Sequence, residues 1–156
     1  MNDFQLTSSA FAQNQPIPKK YTEDGPDLSP PLAWIPPPAG TKELVLIVDD
    51  PDAPRPDPWV HWLVYKIPSD LAGLDEGASH SPIFTQRGIM EGRNTGNVNQ
   101  YRGPAPPPGK VHHYHFKLYA LDAPLDAQPG LTKGQLLKAM ENMVLARTEL
   151  IGTYKR

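Results

Sequence analysis

His112-His113-Tyr114-His115-Phe116-Lys117-Leu118-Tyr119-Ala120-Leu121 decides the fold class. Tyr114, Phe116, Leu118 and Ala120 share one parity, and His113, His115 and Lys117 share the other. Side chains alternate across a strand, so this is a strand with one face toward a core. Leu44-Val45-Leu46-Ile47-Val48 is a continuous apolar run of strand length. His61 to Ile67 mixes aromatic and branched residues and halts at Pro68. Weaker strand signals cover Phe4 to Thr7, Ala33 to Ile35 and Gln86 to Met90.

One helix is expected late in the chain. Thr132 with Gln135 three residues on makes a capping box. Leu136, Leu137, Met140, Met143, Val144 and Ile151 continue it at helical spacing, giving one apolar stripe for the core. Many strands and one late helix predict a mostly β fold: a two-sheet β-sandwich with a C-terminal amphipathic helix. Nothing divides the chain, so residues 1–156 are expected to form a single domain.

Composition narrows the function classes. The chain has 156 residues, 38% of them hydrophobic, and 20 prolines. The prolines are interleaved with apolar runs, so they stiffen loops instead of marking disorder. Fifteen basic and 17 acidic residues are well mixed, for a net charge of -2. Nucleic-acid binding needs a basic stripe, and none is present. Trp34, Trp59 and Trp62 are therefore read as core or pocket-wall residues, not as a stacking platform. There is no cysteine, hence no disulfide, thiolate nucleophile or thiolate-held metal. Residues 1–6 lack the features of a signal peptide, and no apolar run spans a bilayer. The expected location is cytoplasmic, without stable membrane insertion.

Chemistry concentrates in two segments. Asp50-Pro51-Asp52-Ala53-Pro54 leads to His61, and Gly103-Pro104-Ala105-Pro106-Pro107-Pro108-Gly109 leads to His112-His113-Tyr114. Asp50 has the parity of Leu46 and Val48, so its carboxylate ends a buried row and needs a donor. His61, with the parity of Leu63 and Tyr65, is a partner for it. His112 and Tyr114 sit at the mouth end of the core-facing row of their strand. Imidazoles, a phenol and loop N–H groups suit an anionic oxygen ligand such as phosphate. A purely structural Asp–His network fits the same residues. An enzyme reading is also open, a hydrolase with His61 or His112 as general base and Asp50 or Asp52 as its orienter. It would use an activated water, for there is no Gly-x-Ser-x-Gly elbow. His113-x-His115 could hold zinc, but with no evident third ligand it reads as a solvated strand face, and no metal or cofactor is expected. His80 reads as an ordinary loop residue.

In order along the chain, these elements resemble the signature regions of the phosphatidylethanolamine-binding protein family, also called Raf kinase inhibitor-like, and its short bacterial branch above all. Ile17-Pro18, Asp24-Gly25, Ser29-Pro30-Pro31-Leu32, Tyr119-Ala120-Leu121-Asp122 and Gly152-Thr153-Tyr154 are similar to that branch as well. The resemblance implies a two-sheet β fold with a small anion pocket formed by Asp50, Asp52, Pro54, His61, Gly103, Pro104, Pro106, His112 and Tyr114. It implies binding of a phosphate-like anion or phosphoryl headgroup, and inhibition of a protein kinase or protease, in place of a shared catalytic reaction. The bacterial relatives imply a homodimer. His113 stands where the family usually has Arg, which removes one fixed positive charge.

Overall fold

The apolar run Leu44–Val48 forms the middle of β4 (Glu43–Asp50), which lies at the heart of the larger of two sheets. The computed structural model describes residues 4–156. The remaining strands are β1 (Leu6–Thr7), β2 (Gln15–Pro16), β3 (Leu32–Trp34), β5 (Trp59–Pro68), β6 (Gly73–Leu74), β7 (Met90–Glu91), β8 (His112–Leu121) and β9 (Val144–Tyr154). Two short helices, α1 (Pro82–Arg87) and α2 (Lys133–Ala139), accompany them. The large sheet has the order β2-β9-β8-β4-β5-β7, and the small one β1-β3-β6. Among the described residues, only β2 runs parallel to its neighbour, β9. No described helix is long and apolar enough to cross a membrane.

Burial explains the two kinds of strand pattern. Leu44, Leu46 and Val48 face the small sheet and join Leu6, Leu32, Trp34 and Leu74 in the inner core. Val45 and Ile47 point the other way, into an outer core closed by Leu125 and by Leu136 and Met140 of α2 and its end. A strand buried on both faces reads as an unbroken apolar run. β8 reads as an alternation because its second face carries His113, His115 and Lys117, which are exposed or half-buried. Its predicted bounds are those found.

The late helix is shorter than its spacing predicts. α2 has the capping box at Thr132 and Gln135, and Leu136 and Met140 are buried as expected. It ends after Ala139, and Asn142 takes a left-handed φ of 66°. Val144 and Ile151 belong to β9, an 11-residue strand paired with β8 along its length, and Met143 precedes it. The helix-like spacing beyond Met140 is a coincidence that this long-range pairing overrides. Residues 86–90 also differ from expectation. Pro82 opens α1, whose fixed φ suits a first helical position, and only Met90 and Glu91 enter a strand.

One close approach seats β9 on the inner core. Gly152 lies opposite Tyr114, and a Cβ there would come within 2.5 Å of Ile17 and 2.7 Å of Phe11. Overpacking of this kind costs roughly 1–3 kcal/mol. Gly152→Ala should therefore lower stability by about that amount in urea unfolding. An unchanged midpoint would show that Phe11 and Ile17 yield freely.

Candidate functional site

β4 ends by placing consecutive carboxylates on opposite faces of the large sheet. Asp49 turns outward, where Lys133 (2.5 Å) and Lys117 (3.3 Å) neutralise it. Asp50 turns inward and is 3% exposed. Its Oδ1 accepts the Asp52 N–H at 2.8 Å, which closes the turn into the proline loop. Its Oδ2 accepts the Nδ1–H of His112 at 2.6 Å. Both side chains are almost fully buried. A buried carboxylate persists only when donors surround it, and here they are supplied locally and by β8.

The expected partner of Asp50 was His61, and the structure corrects this. Along β5, Trp62 lies opposite Val48 and Val60 opposite Asp49, so His61 is the extra residue of a β-bulge. The bulge moves His61 off the face of Leu63 and Tyr65, which lie in the outer core. The ring instead meets Tyr114 edge-on, with centroids 5.1 Å apart. Its Nδ1–H donates to the Arg102 carbonyl at 2.6 Å.

These side chains bound a cavity of about 230 Å³. Asp50, Pro54, His61, Pro106, His112 and Tyr114 line it, as do Glu23, Ala53, Trp59, Ala105 and Pro107. Asp52, Gly103 and Pro104 do not. Asp52 lies across the proline loop and accepts both the N–H (2.8 Å) and the Nδ1–H (2.7 Å) of His113. Burial pulls the Asp52 carboxyl up, but the His113 bonds outweigh it and its pKa falls below the usual range. Gly103 and Pro104 act one step back. The Gly103 N–H donates to Asp27 Oδ1 at 2.9 Å, and the Pro104 carbonyl accepts the Glu23 N–H at 3.0 Å. A Cβ at Gly103 would sit 2.2 Å from the Tyr21 carbonyl, so the loop is clamped where only glycine fits. Gly109 gives its N–H to the Arg156 carbonyl. The N–H groups of both glycines are thus engaged inside the protein.

Glu23 is the lining residue that sequence reasoning missed altogether. It belongs to neither signature segment, and the bond from its N–H to the Pro104 carbonyl holds its backbone against the proline loop. His80, expected as an ordinary loop residue, instead donates through its N–H and Nδ1–H to buried Glu91. Glu91 also holds Trp62 and Ser79. His115, on the face read as solvated, bonds Glu149 at 2.8 Å. His113 and His115 therefore have separate carboxylate partners.

The hydrogen bonds fix the ring tautomers at the cavity. A carbonyl and a carboxylate only accept, so Nδ1 carries the proton in both His61 and His112. Nε2 of each ring has no protein partner among the described residues, and in a neutral ring it is a lone pair. Burial holds the His61 pKa below the ordinary histidine value, against the opposing pull of the Arg102 carbonyl and Asp50. Burial also drives the Tyr114 pKa far upward, with nearby Asp50 adding to the shift, so its hydroxyl stays a donor. The lining holds the carboxylates of Glu23 and Asp50 and neither Lys nor Arg.

Asp27, which clamps Gly103, has its pKa pushed up to about 6, chiefly by burial and in spite of the Gly103 bond. Its folded value lies above the unfolded one, so the folded state holds the extra proton between about pH 4 and 6. Stability from this group is present below that window and lost as pH rises through it. Asp27→Asn should accordingly raise the melting temperature at about pH 7, with the gain vanishing near pH 4. After allowance for solvent screening the gain is about 1 kcal/mol. A loss of stability at about pH 7 would show instead that the charge itself is required for the clamp.

Comparison with known proteins agrees with this architecture. The family model described as phosphatidylethanolamine-binding protein matches residues 7–155. A UPF0098 protein of Methanothermobacter thermautotrophicus is 46% identical over 151 residues, covering 97% of this chain and 98% of its own length. Another, from Chlamydia muridarum, is 47% identical over 156 residues, with 97% and 99% covered. Among solved structures, the putative phosphatidylethanolamine-binding protein homolog CT736 of Chlamydia trachomatis superposes with a TM-score of 0.91 at 44% identity. That match covers 100% of this chain and 99% of the other. Escherichia coli YbcL, described as a new member of the mammalian PEBP family, also gives 0.91, at 28% identity and 99% coverage of both chains. The chain belongs to the phosphatidylethanolamine-binding protein family.

Proposed function

We propose that this protein is a binding protein whose cavity holds a phosphate or phosphoryl headgroup, and that it takes up a proton when it does so. The observation that carries the reading is the pair of Nδ1-anchored imidazoles, His61 and His112, on one small cavity with the Tyr114 hydroxyl. A volume of about 230 Å³ suits a headgroup and not a whole lipid. Inhibition of a kinase or protease belongs to the same proposal. A partner presenting a phosphorylated side chain offers the same anion and would be held through it.

Proton uptake follows from the charge count. An anion facing the Nε2 lone pair of neutral His61 beside two carboxylates is repelled until that ring is protonated. The empty site holds His61 neutral, and a bound anion favours its charged form. Affinity therefore rises as pH falls through and below the histidine range. Sulfate separates this from titration of the ligand, because it stays fully ionised there. Calorimetry should give sulfate about tenfold or greater affinity at about pH 5.5 than at about pH 7.5. Equal affinity at the two pH values, or no binding at either, would rule the reading out.

One observation favours hydrolysis as a second reading. Buried Asp50 orients the His112 ring, an arrangement suited to a general base. No lining residue is Ser, Thr or Cys, so the nucleophile would be water. Under the binding proposal, p-nitrophenyl phosphate and p-nitrophenyl acetate are not turned over above background. Turnover that is lost in His112→Gln would establish the second reading instead.

A further inference from the structure

A larger hollow lies on the opposite face of the sheet from the cavity, over the start of β5. It encloses about 590 Å³, and Val60 and Pro58 form apolar floor while exposed Leu137 of α2 forms a wall. This is within the ~300–1,000 Å³ range of small-molecule sites. Its edges are fixed. The Asn94 amide donates to the carbonyls of His61 and Gln100 and accepts from Val98, and Thr95 is bonded to Val60 through both its Oγ1 and its N–H. Lys133 is tied to Asp49.

Two cations of this hollow have no carboxylate partner among the described residues. Arg87, Arg147 and Arg156 each lie on a carboxylate. Arg55 and Arg93, which line the hollow, have no ion pair among the described residues. The Arg55 guanidinium rests over the Trp59 ring, 5.3 Å from its centroid. Asp57 is the only carboxylate among the lining residues. Guanidinium groups have the fork geometry for carboxylate and phosphate oxygens, and they keep their charge at every working pH.

We infer that this hollow is a second binding site, for an organic dianion that carries its phosphate or carboxylate on an apolar body. Arg93 and Arg55 hold the anionic group, and Val60, Pro58 and Leu137 cover the apolar part. The site is independent of the first cavity. Its cations are permanent, so no group of the protein need take up a proton for it to bind, unlike the proton-linked cavity.

Phenyl phosphate is the probe, followed by amide NMR on the full chain, with wild type, His61→Asn and Arg93→Ala compared at about pH 7.5, where the first cavity is weakest. Saturable shifts at residues 93–97 and 133–137 are expected in wild type and in His61→Asn. Arg93→Ala, at an exposed position where folding is not at stake, should weaken them about tenfold. Inorganic phosphate, lacking the apolar body, should bind these residues more weakly than phenyl phosphate. The inference is overturned by shifts confined to the first cavity, by shifts that Arg93→Ala leaves unchanged, or by equal affinity for inorganic phosphate. Failure of the first cavity to bind sulfate would leave this result untouched.

Discussion

A carboxylate in the inner core sets the terms for everything around it. Asp50 ends an apolar row and is nearly sealed from water. Removing one partner of such a pair typically costs ~3–5 kcal/mol, so the fold must hold its donors in place. One donor is the Asp52 N–H, which requires the chain to turn at once into the proline loop. The other is His112, which requires the start of β8 to reach the same end of the sheet. The turn, the end of β8 and one cavity wall are thus positioned by satisfying a single charge. Its neighbour Asp49 does the corresponding work outside, where two lysines tie β8 and α2 to β4.

The same economy of hydrogen bonds determines the chemistry. Each Nδ1 is committed to the protein, and each commitment orients a ring and selects a tautomer. The Arg102 carbonyl reaches His61 because the segment after Tyr101 is pinned by Ser79 and by the Tyr21 carbonyl. A preformed arrangement of this kind avoids ordering side chains at the moment of binding, which otherwise opposes affinity. Rigidity does not by itself supply charge. Glu23 and Asp50 put negative charge on the cavity wall, and on the proposed reading this makes proton uptake part of recognition.

Periodicity made the β-class fold legible wherever one residue pattern answered to one environment. β8 and the run in β4 carry clean signals because their faces are uniformly buried or uniformly polar. Asp50, His112 and Tyr114 followed from parity for the same reason. His61 did not, because a bulge shifts parity without a mark in the sequence, and the residue reached the cavity by a route that simple alternation excludes. The segment after Met140 misled in the opposite sense. Its apolar spacing imitates a helix, while the ladder with β8, remote in sequence, makes it a strand. Gly103, Pro104 and Asp52 carry the family signature yet lie behind the cavity wall. Sequence resemblance marks them without distinguishing contact from support. Glu23 had no local signal because a long-range bond holds its backbone against the proline loop.

β5 is the wall common to both hollows, and its first residues show how one strand serves two chemistries. Trp59 and His61 face the cavity, whereas Val60 floors the outer hollow. Between them, Arg55 lies on the far side of Trp59 and interacts with the face of its ring. The indole therefore stands between the cavity lined by His61 and the hollow lined by Arg55. A cation held against the indole cannot leave without exposing that face, and an anion drawn to Arg55 competes with the ring for it. Any movement of Trp59 toward the cavity would narrow the entrance past Pro54. The bulge that brings His61 inward thus also sets which side of β5 each residue serves, with Trp59 and His61 on the cavity and Val60 on the outer hollow.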